Sequence, residues 1–287
     1  MSASLQLTPV PVENAPMKWS ASRLKMLLQC PRKFRFTYID RVPQVVTAPL
    51  VFGKTMHRVV CEAHEEQMRG GTFPPLIEML ELFDGLWSEA LTREKPFFRD
   101  TGPTSQAYAT SGREMLRLFY KTQEGRIPLT VELPFEIEWE GYILRGLIDR
   151  VDEVRSKEGE SALVVVDYKS GARKPSAGEA RSDLQLTIYA LVIQQMLGLP
   201  VERVEFHFLK SGTAIEALHY EESSKSLLRS ALAYADVVAE RDEYPACPGY
   251  WCRWCDYKVQ CQAEGIATGR MEDDSVYLEV IPGARRR

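Results

Sequence analysis

Apolar residues recur at helical spacing in the first part of the chain and at strand spacing in its middle. Leu24, Leu27 and Leu28 share a helical face behind Ser20, which suits an N-cap. The helix predicted there stops at Cys30-Pro31, because the position before proline disfavours the αR region. Pro31 at a first helical position then opens a second short helix, with Phe34 and Tyr38 one turn apart. Gly53 to Arg69 has helical composition and meets a stop at Gly70-Gly71, and helical stretches follow around 76–93 and 105–124. At Leu129 the period shortens to two. LTVELPFEIEW, a turn at Gly141 and YILRGLIDRVDEV read as a hairpin, and SALVVVDYKSG as a third strand whose LVVV run predicts burial on both faces. A helix from Asp183 to Leu197, broken by Gly198 and Pro200, leads to the strand VERVEFHFLK, and SGTAIEALHY supplies a fifth. The amphipathic helix in SSKSLLRSALAYADVVAERDEY then feeds a group of cysteines.

This order predicts an α/β fold: a mixed central sheet flanked by helices, with a helical elaboration before it and a cysteine segment after it. Residues 1–16, aperiodic and containing Pro and Ser, read as a flexible arm. Residues 17–265 read as a single domain: a helical region over 17–127, an α/β core over 128–220, and a helix with the cysteine segment over 221–265. Residues 266–287 form a tail.

The 287 residues carry 36 Lys+Arg against 40 Asp+Glu, a formal net charge of −4, with 45% hydrophobic and 26% charged positions. That globular composition sets aside disordered and collagen-like chains. No apolar run approaches the roughly 20 residues of a membrane span. The N-terminal MSASLQLTPVPVENAPMKWS lacks the basic-then-apolar order of a signal peptide, so a cytoplasmic location without membrane partners is expected. Mild acidity argues against coating nucleic acid by charge alone, so any polyanion site has to be local.

Candidate chemistry concentrates at two strand ends. Asp167 and Lys169 lie two apart where VVVDYKSG leaves the core, and a strand turns both to one face. Alone, they make a strand-end salt bridge. Asp149, in LRGLIDRVDEV, also follows an apolar strand, in the neighbouring hairpin, and the two carboxylates are expected to meet at one edge of the sheet. Hard cations such as Mg²⁺ or Mn²⁺ take one or two carboxylates, waters and phosphate oxygens. The lysine suits orienting or deprotonating an attacking water, or neutralising transition-state charge. Gln185 and Tyr189 stand at i, i+4 on the following helix, the first suited to position a nucleophile, the second to donate a hydrogen bond or stack on a base. His57 is the remaining candidate, whereas His64, His207 and His219 read as structural.

Four of the six cysteines, Cys247, Cys252, Cys255 and Cys261, fall within fifteen residues. In a reducing compartment such a cluster binds metal more readily than it forms disulfides. Cys252-x2-Cys255-x5-Cys261 offers three thiolates, and zinc and iron–sulfur clusters both accept four, so spacing chooses neither. Cys247 and Cys30 compete for the fourth position, and Cys61 stands apart.

The succession Gly53-x3-His57, Gly146-Leu147-Ile148-Asp149, Asp167-Tyr168-Lys169 and Gln185-x3-Tyr189 resembles the RecB-like exonuclease branch of the PD-(D/E)XK nuclease superfamily, over nearly the whole stretch from Ser20 to Cys261. The resemblance implies a restriction-endonuclease-like fold and a divalent metal, Mg²⁺ or Mn²⁺, held by His57, Asp149, Asp167 and the backbone carbonyl of Tyr168. It implies Lys169 as the catalytic lysine, and Gln185 and Tyr189 as the element that supports the site and contacts the strand. SASRLKMLLQCPRKFRFTYI followed by C-x2-C-x5-C is similar to the iron–sulfur-staple members, the AddB-type helicase–nucleases, CRISPR-associated RecB-like exonucleases and mitochondrial exonucleases. That likeness implies a structural [4Fe-4S] cluster on Cys30, Cys252, Cys255 and Cys261, closing a loop of roughly 220 residues.

The expected activity is metal-dependent DNA hydrolysis, on single strands or free ends. Arg32, Lys33, Arg35 and Arg41, with Arg173, Lys174 and Arg181, are candidates to line a strand-sized channel, with Phe34, Tyr38 and Trp254 as stacking surfaces. The alternative is a non-catalytic DNA-binding or assembly subunit of a helicase–nuclease or CRISPR adaptation complex. A degenerate copy would have lost a metal acid or the lysine, and this chain keeps His57, Asp149, Asp167 and Lys169 together. No G-x4-G-K-[ST] loop is present, so a helicase motor would be another chain.

Overall fold

Strand β4 (Ser161–Lys169) organises the layers. Every residue from Ala162 to Tyr168 is buried, as its unbroken apolar run predicts, and successive side chains face opposite ways. Leu163 and Val165 enter one core, while Val164, Val166 and Tyr168 enter another. Each fully buried valine contributes about 1.5–3 kcal/mol. The computed structural model describes residues 17–99, 102–122, 127–156, 159–171 and 173–266. The arm predicted for residues 1–16 and all but the first residue of the predicted tail lie outside the described residues.

Around β4 the sheet runs β1 (Lys18–Trp19), β3 (Tyr142–Arg155), β4, β5 (Val201–Phe208), β6 (Thr213–Leu218), with β2 (Thr130–Trp139) also on β3. The pairing is mixed: β1–β3 and β4–β5 are parallel, the rest antiparallel. The β2–β3 hairpin closes on Glu140 and Gly141, both at positive φ (48° and 85°), the conformation that matches the twist of paired strands. On one face lie α1 (Ala21–Gln29), α7 (Leu184–Leu197) and α8 (Glu221–Arg241). On the other lie α3 (Ala48–Gly70), α4 (Leu76–Glu94) and α5 (Ser105–Thr122). This is the restriction-endonuclease-like layout that the resemblance implies.

Local signals set most boundaries. The Ser20 hydroxyl accepts the Arg23 N–H and caps α1, and α3 ends on Gly71 at φ 74°. Helix α3 starts earlier than its composition suggests, at Ala48 with Pro49 in its first turn. The short α2 (Pro31–Phe34) continues as a π-helical turn, Arg35–Ile39. Two elements have no periodic signature: β1, two residues long, and α6 (Ala177–Arg181), held by a Ser176–Glu179 capping box.

Candidate active site and cysteine cavity

Strands β3 and β4 pair from Arg155↔Ser161 to Arg150↔Val166 and then part. Beyond that point β3 pairs with β1 at Ile143 and Leu144, while β4 stays on β5 as far as Lys169↔Phe208. Asp149 and Asp167 are the first residues past the split. They therefore meet inside the sheet, between its central strands, and not at its edge as expected, because β1 takes over the ladder that β4 leaves. The Asp149 carboxylate replaces the lost ladder bond by accepting the Tyr168 N–H at 2.8 Å.

The side chains named from the sequence converge there. Lys169 Nζ lies 2.6 Å from Asp167 Oδ2 and donates to Gln185 Oε1 at 3.2 Å. Gln185 Nε2 donates to Asp167 Oδ1 at 2.6 Å and to the Tyr189 hydroxyl at 3.0 Å. His57 Nδ1, from α3, stands 3.4 Å from Asp149 Oδ2. The first turn of α7 is fixed for this purpose. The Asp183 carboxylate caps it by accepting the Gln185 and Leu186 N–H groups, and Lys25 of α1 ties that carboxylate down at 2.8 Å. Two glycines allow the approach. A Cβ on Gly146 would lie 2.7 Å from the Phe135 ring, which packs edge-on against Tyr189, and one on Gly53 would lie 3.3 Å from Ser170 Oγ, beside Lys169.

Burial pushes the Asp167 carboxyl up to about 6, and the Asp149 charge adds to it against the pull of Lys169. Burial lowers His57, but its contact with the Asp149 carboxylate outweighs that and its pKa is raised. Burial likewise raises the Tyr189 hydroxyl. Asp167 Oδ2 is buried against the Lys169 ammonium, 2.6 Å away. Two carboxylates and an imidazole suit a hard divalent cation. Among the described residues no three His, Cys, Asp or Glu side chains are drawn in to metal-holding positions, so the fit rests on which donors face one another.

Behind the junction lies a buried polar network with no counterpart in the sequence pattern. Arg150 pairs with Asp152, its Nη1 lies 3.0 Å from His64 Nε2, and it donates to the Tyr168 hydroxyl at 3.2 Å. His64 also meets Gln67 at 3.3 Å. The Tyr168 hydroxyl is pushed up by burial to about 12. Period two in β3 and β4 places these residues behind Asp149 and Asp167, so the signal was the strand alternation itself, read for its inward side. Glu132 is the second unforeseen feature. It interrupts β2 at φ 41°, opposite Asp149, and lines a small cavity with His57, Cys61 and Tyr168. A non-glycine residue there carries about 1–3 kcal/mol of strain.

The basic candidates divide. Arg32 Nη1 lies 3.5 Å from Glu264, Arg35 pairs with Asp40 and lies over the Tyr244 ring, and Lys33 lines the cysteine cavity. Arg32 and Arg35 brace the N-terminal helices against the C-terminal segment. Arg173 and Lys174 are exposed past the active-site strand, Arg173 pairing with Glu179. Phe34 offers no stacking surface. It is fully buried between Trp19, Tyr38 and Tyr244, because α2 turns it into the core.

Cys30, Cys247, Cys252, Cys255 and Cys261 line one cavity with Trp251 and Tyr257. The Cys247 N–H points to Cys30 Sγ at 3.5 Å and the Gly249 N–H to Cys252 Sγ at 3.4 Å. Burial, reinforced by the neighbouring thiols, pushes Cys247 and Cys261 up to about 11. The donor chemistry fits a soft-ligand metal group, and both contenders for the fourth position face the cavity. Cys61 lies elsewhere, on α3 against Glu65.

A family model described as the PD-(D/E)XK nuclease superfamily matches residues 18–262. The chain is 30% identical over 217 residues to the Gene 69 protein of Mycobacterium phage D29, covering 68% of this chain and 76% of that one. It is 26% identical over 288 residues to the Gene 69 protein of Mycobacterium phage L5, covering 84% and 95%. With one subunit of the ATP-dependent helicase/deoxyribonuclease of Symbiobacterium thermophilum it shares 25% identity over 213 residues, 61% of this chain but 17% of that protein. Among solved structures, a candidate exonuclease from Eubacterium rectale matches with TM-score 0.50 and 12% identity, over 88% of this chain and 90% of that one, a likeness of fold.

Proposed function

Because the chain belongs to the PD-(D/E)XK nuclease superfamily, we propose that it is a divalent-metal-dependent DNA nuclease, an exonuclease on single strands or free ends, stapled by a [4Fe-4S] cluster. The observation that carries this reading is the convergence of Asp149, Asp167, Lys169 and Gln185 where β3 and β4 part, with His57 facing them from α3. Residues 17–265 act as one nuclease domain. Similarity to one component of a helicase/deoxyribonuclease, of which this chain matches only 17%, motivates a helicase partner.

In this reading His57, Asp149, Asp167 and the Tyr168 carbonyl hold Mg²⁺ or Mn²⁺, which supplies Lewis-acid polarisation of the scissile phosphate and of a water. Asp167 is fixed from both sides, by Lys169 at one oxygen and by Gln185 at the other, so its carboxylate is held in one orientation. Lys169 orients the attacking water and neutralises charge growing on the phosphate oxygens. Tyr189 holds Gln185 in place. Arg173 and Lys174, exposed on the segment after Lys169, are placed to meet the strand's phosphates. Five thiol-bearing residues on one cavity support the cluster, and Cys30, Cys252, Cys255 and Cys261 are assigned as its ligands.

The test is end-labelled single-stranded DNA incubated with anaerobically purified protein and Mg²⁺ or Mn²⁺, beside Lys169→Ala and Asp167→Ala. Metal-dependent cleavage that both substitutions abolish is expected, and the ladder from each labelled end reads the polarity. No cleavage of single-stranded, duplex or flapped DNA by cluster-replete protein would favour the non-catalytic subunit instead.

A further inference from the structure

Phe97 and Trp254 are respectively 53% and 52% exposed, and with Tyr108, Arg99 and Pro49 they line a cleft of about 300 Å³. Its walls come from three separate stretches of chain. Phe97 is fixed by backbone bonds, its N–H donating to the Val46 carbonyl at 2.8 Å and its carbonyl accepting the Ala48 N–H at 3.0 Å. Trp254 sits in the 3₁₀ turn Tyr250–Trp254 between two cysteines, with the Arg253 guanidinium 5.2 Å from its ring and the exposed Tyr250 edge-on at 6.2 Å. Arg99 lines the cleft, Arg253 stands against the Trp254 ring, and both are exposed. Held aromatic faces ringed by cations match a flat, electron-rich ring on an anionic backbone.

The cleft and the candidate active site lie along the same helix, α3. Its floor includes Ala48 and Pro49, the first turn of α3. From there Leu50, Gly53 and His57 follow at i, i+3 and i+7 on one face of the helix, reaching the β3–β4 junction about 14 Å from Ala48 along the axis. Gly53, bare of a side chain, lies against Ser170 beside Lys169. We infer that this cleft stacks an unpaired base of the strand whose phosphate backbone runs along α3 to the junction, an inference that rests on the nuclease reading. A paired base is already stacked within its duplex, so the cleft selects single-stranded DNA. Because Trp254 is carried between Cys252 and Cys255, the cysteine segment then supplies one wall of the substrate site.

Binding is to be measured with the full chain in EDTA, so that no cleavage intervenes, using fluorescein-labelled oligothymidylate and the same backbone made abasic. Trp254→Ala and Phe97→Ala should each weaken oligothymidylate by about tenfold while leaving the abasic strand unchanged, and Trp254→Phe should recover part of the loss. Leu218→Ala, an equally exposed residue on β6, is the control and should bind as wild type. Unaltered affinity in both variants, or equal loss of the normal and abasic strands, would overturn the stacking assignment. If wild-type protein cleaves in metal while the variants are indifferent, the cleft alone falls. If wild type binds no single strand, the substrate reading falls with it.

Discussion

The β3–β4 junction and the cysteine cavity both gather residues from distant parts of the chain, and they differ in what holds them. At the junction each charged group meets a counter-group: Asp167 has Lys169 and Gln185, and Asp149 has His57 and the Tyr168 N–H. Strands and helices with buried faces on both sides fix those positions before any ion binds. In the cysteine cavity the thiols meet one another, backbone N–H groups and the charge of Lys33. The turn Tyr250–Trp254 and helix α9 (Lys258–Ala263) bury no residue of their own. The junction is therefore made by the core, whereas on the proposed reading the cavity would depend on its cluster for much of its own stability.

The comparison is sharpened most strongly by taking one residue from each region. Lys169→Ala should cut metal-dependent cleavage by about 10²–10³-fold in a labelled-DNA assay while its iron content stays that of wild type. Cys30→Ser should do the reverse, losing the roughly four irons of a cubane site and lowering the melting temperature, with Cys247→Ser keeping both. Iron retained in Cys30→Ser and lost in Cys247→Ser would make the site local. Stoichiometric zinc without iron would replace the cluster altogether.

Smaller effects separate the front of the junction from the network behind it. Arg150→Met strands Asp152 in the core and should cost about 3–5 kcal/mol in urea unfolding. Tyr168→Phe removes one hydroxyl from the same network and should cost about 1 kcal/mol. A change of the opposite sign is expected from Asp167→Asn with metal chelated. The folded carboxyl titrates near 6, above its ordinary 3.8, so its ionisation opposes folding fully above pH 6 and progressively less as pH falls toward 3.8. The asparagine variant should therefore gain melting temperature over wild type near neutral pH, and the gain should shrink on acidification. A gain that does not change with pH would mean that the Lys169 pairing cancels the burial.

Much of the junction was legible because its signals are local. Asp167 and Lys169 share a face through the period of a strand, and Gln185 and Tyr189 through that of a helix capped by Asp183. Other features were not legible, since no local pattern encodes them. The parting of β3 from β4 depends on the two-residue β1, brought in from far upstream. The Arg150–His64 contact joins a strand to a helix 86 residues away. The twist at Glu132 is a backbone state that the letters VELPF do not announce.

By itself, then, the sequence determined which elements present the candidate side chains and on which face, because hydrophobic period fixes the face on which each side chain emerges. Tertiary structure decided which faces meet: that the acids stand inside the sheet, that Arg32 and Arg35 brace the cysteine segment, and that Phe34 is core while Phe97 and Trp254 are surface. The physical reason is that period is set by neighbours along the chain, whereas burial and pairing are set by whatever the long-range packing brings alongside.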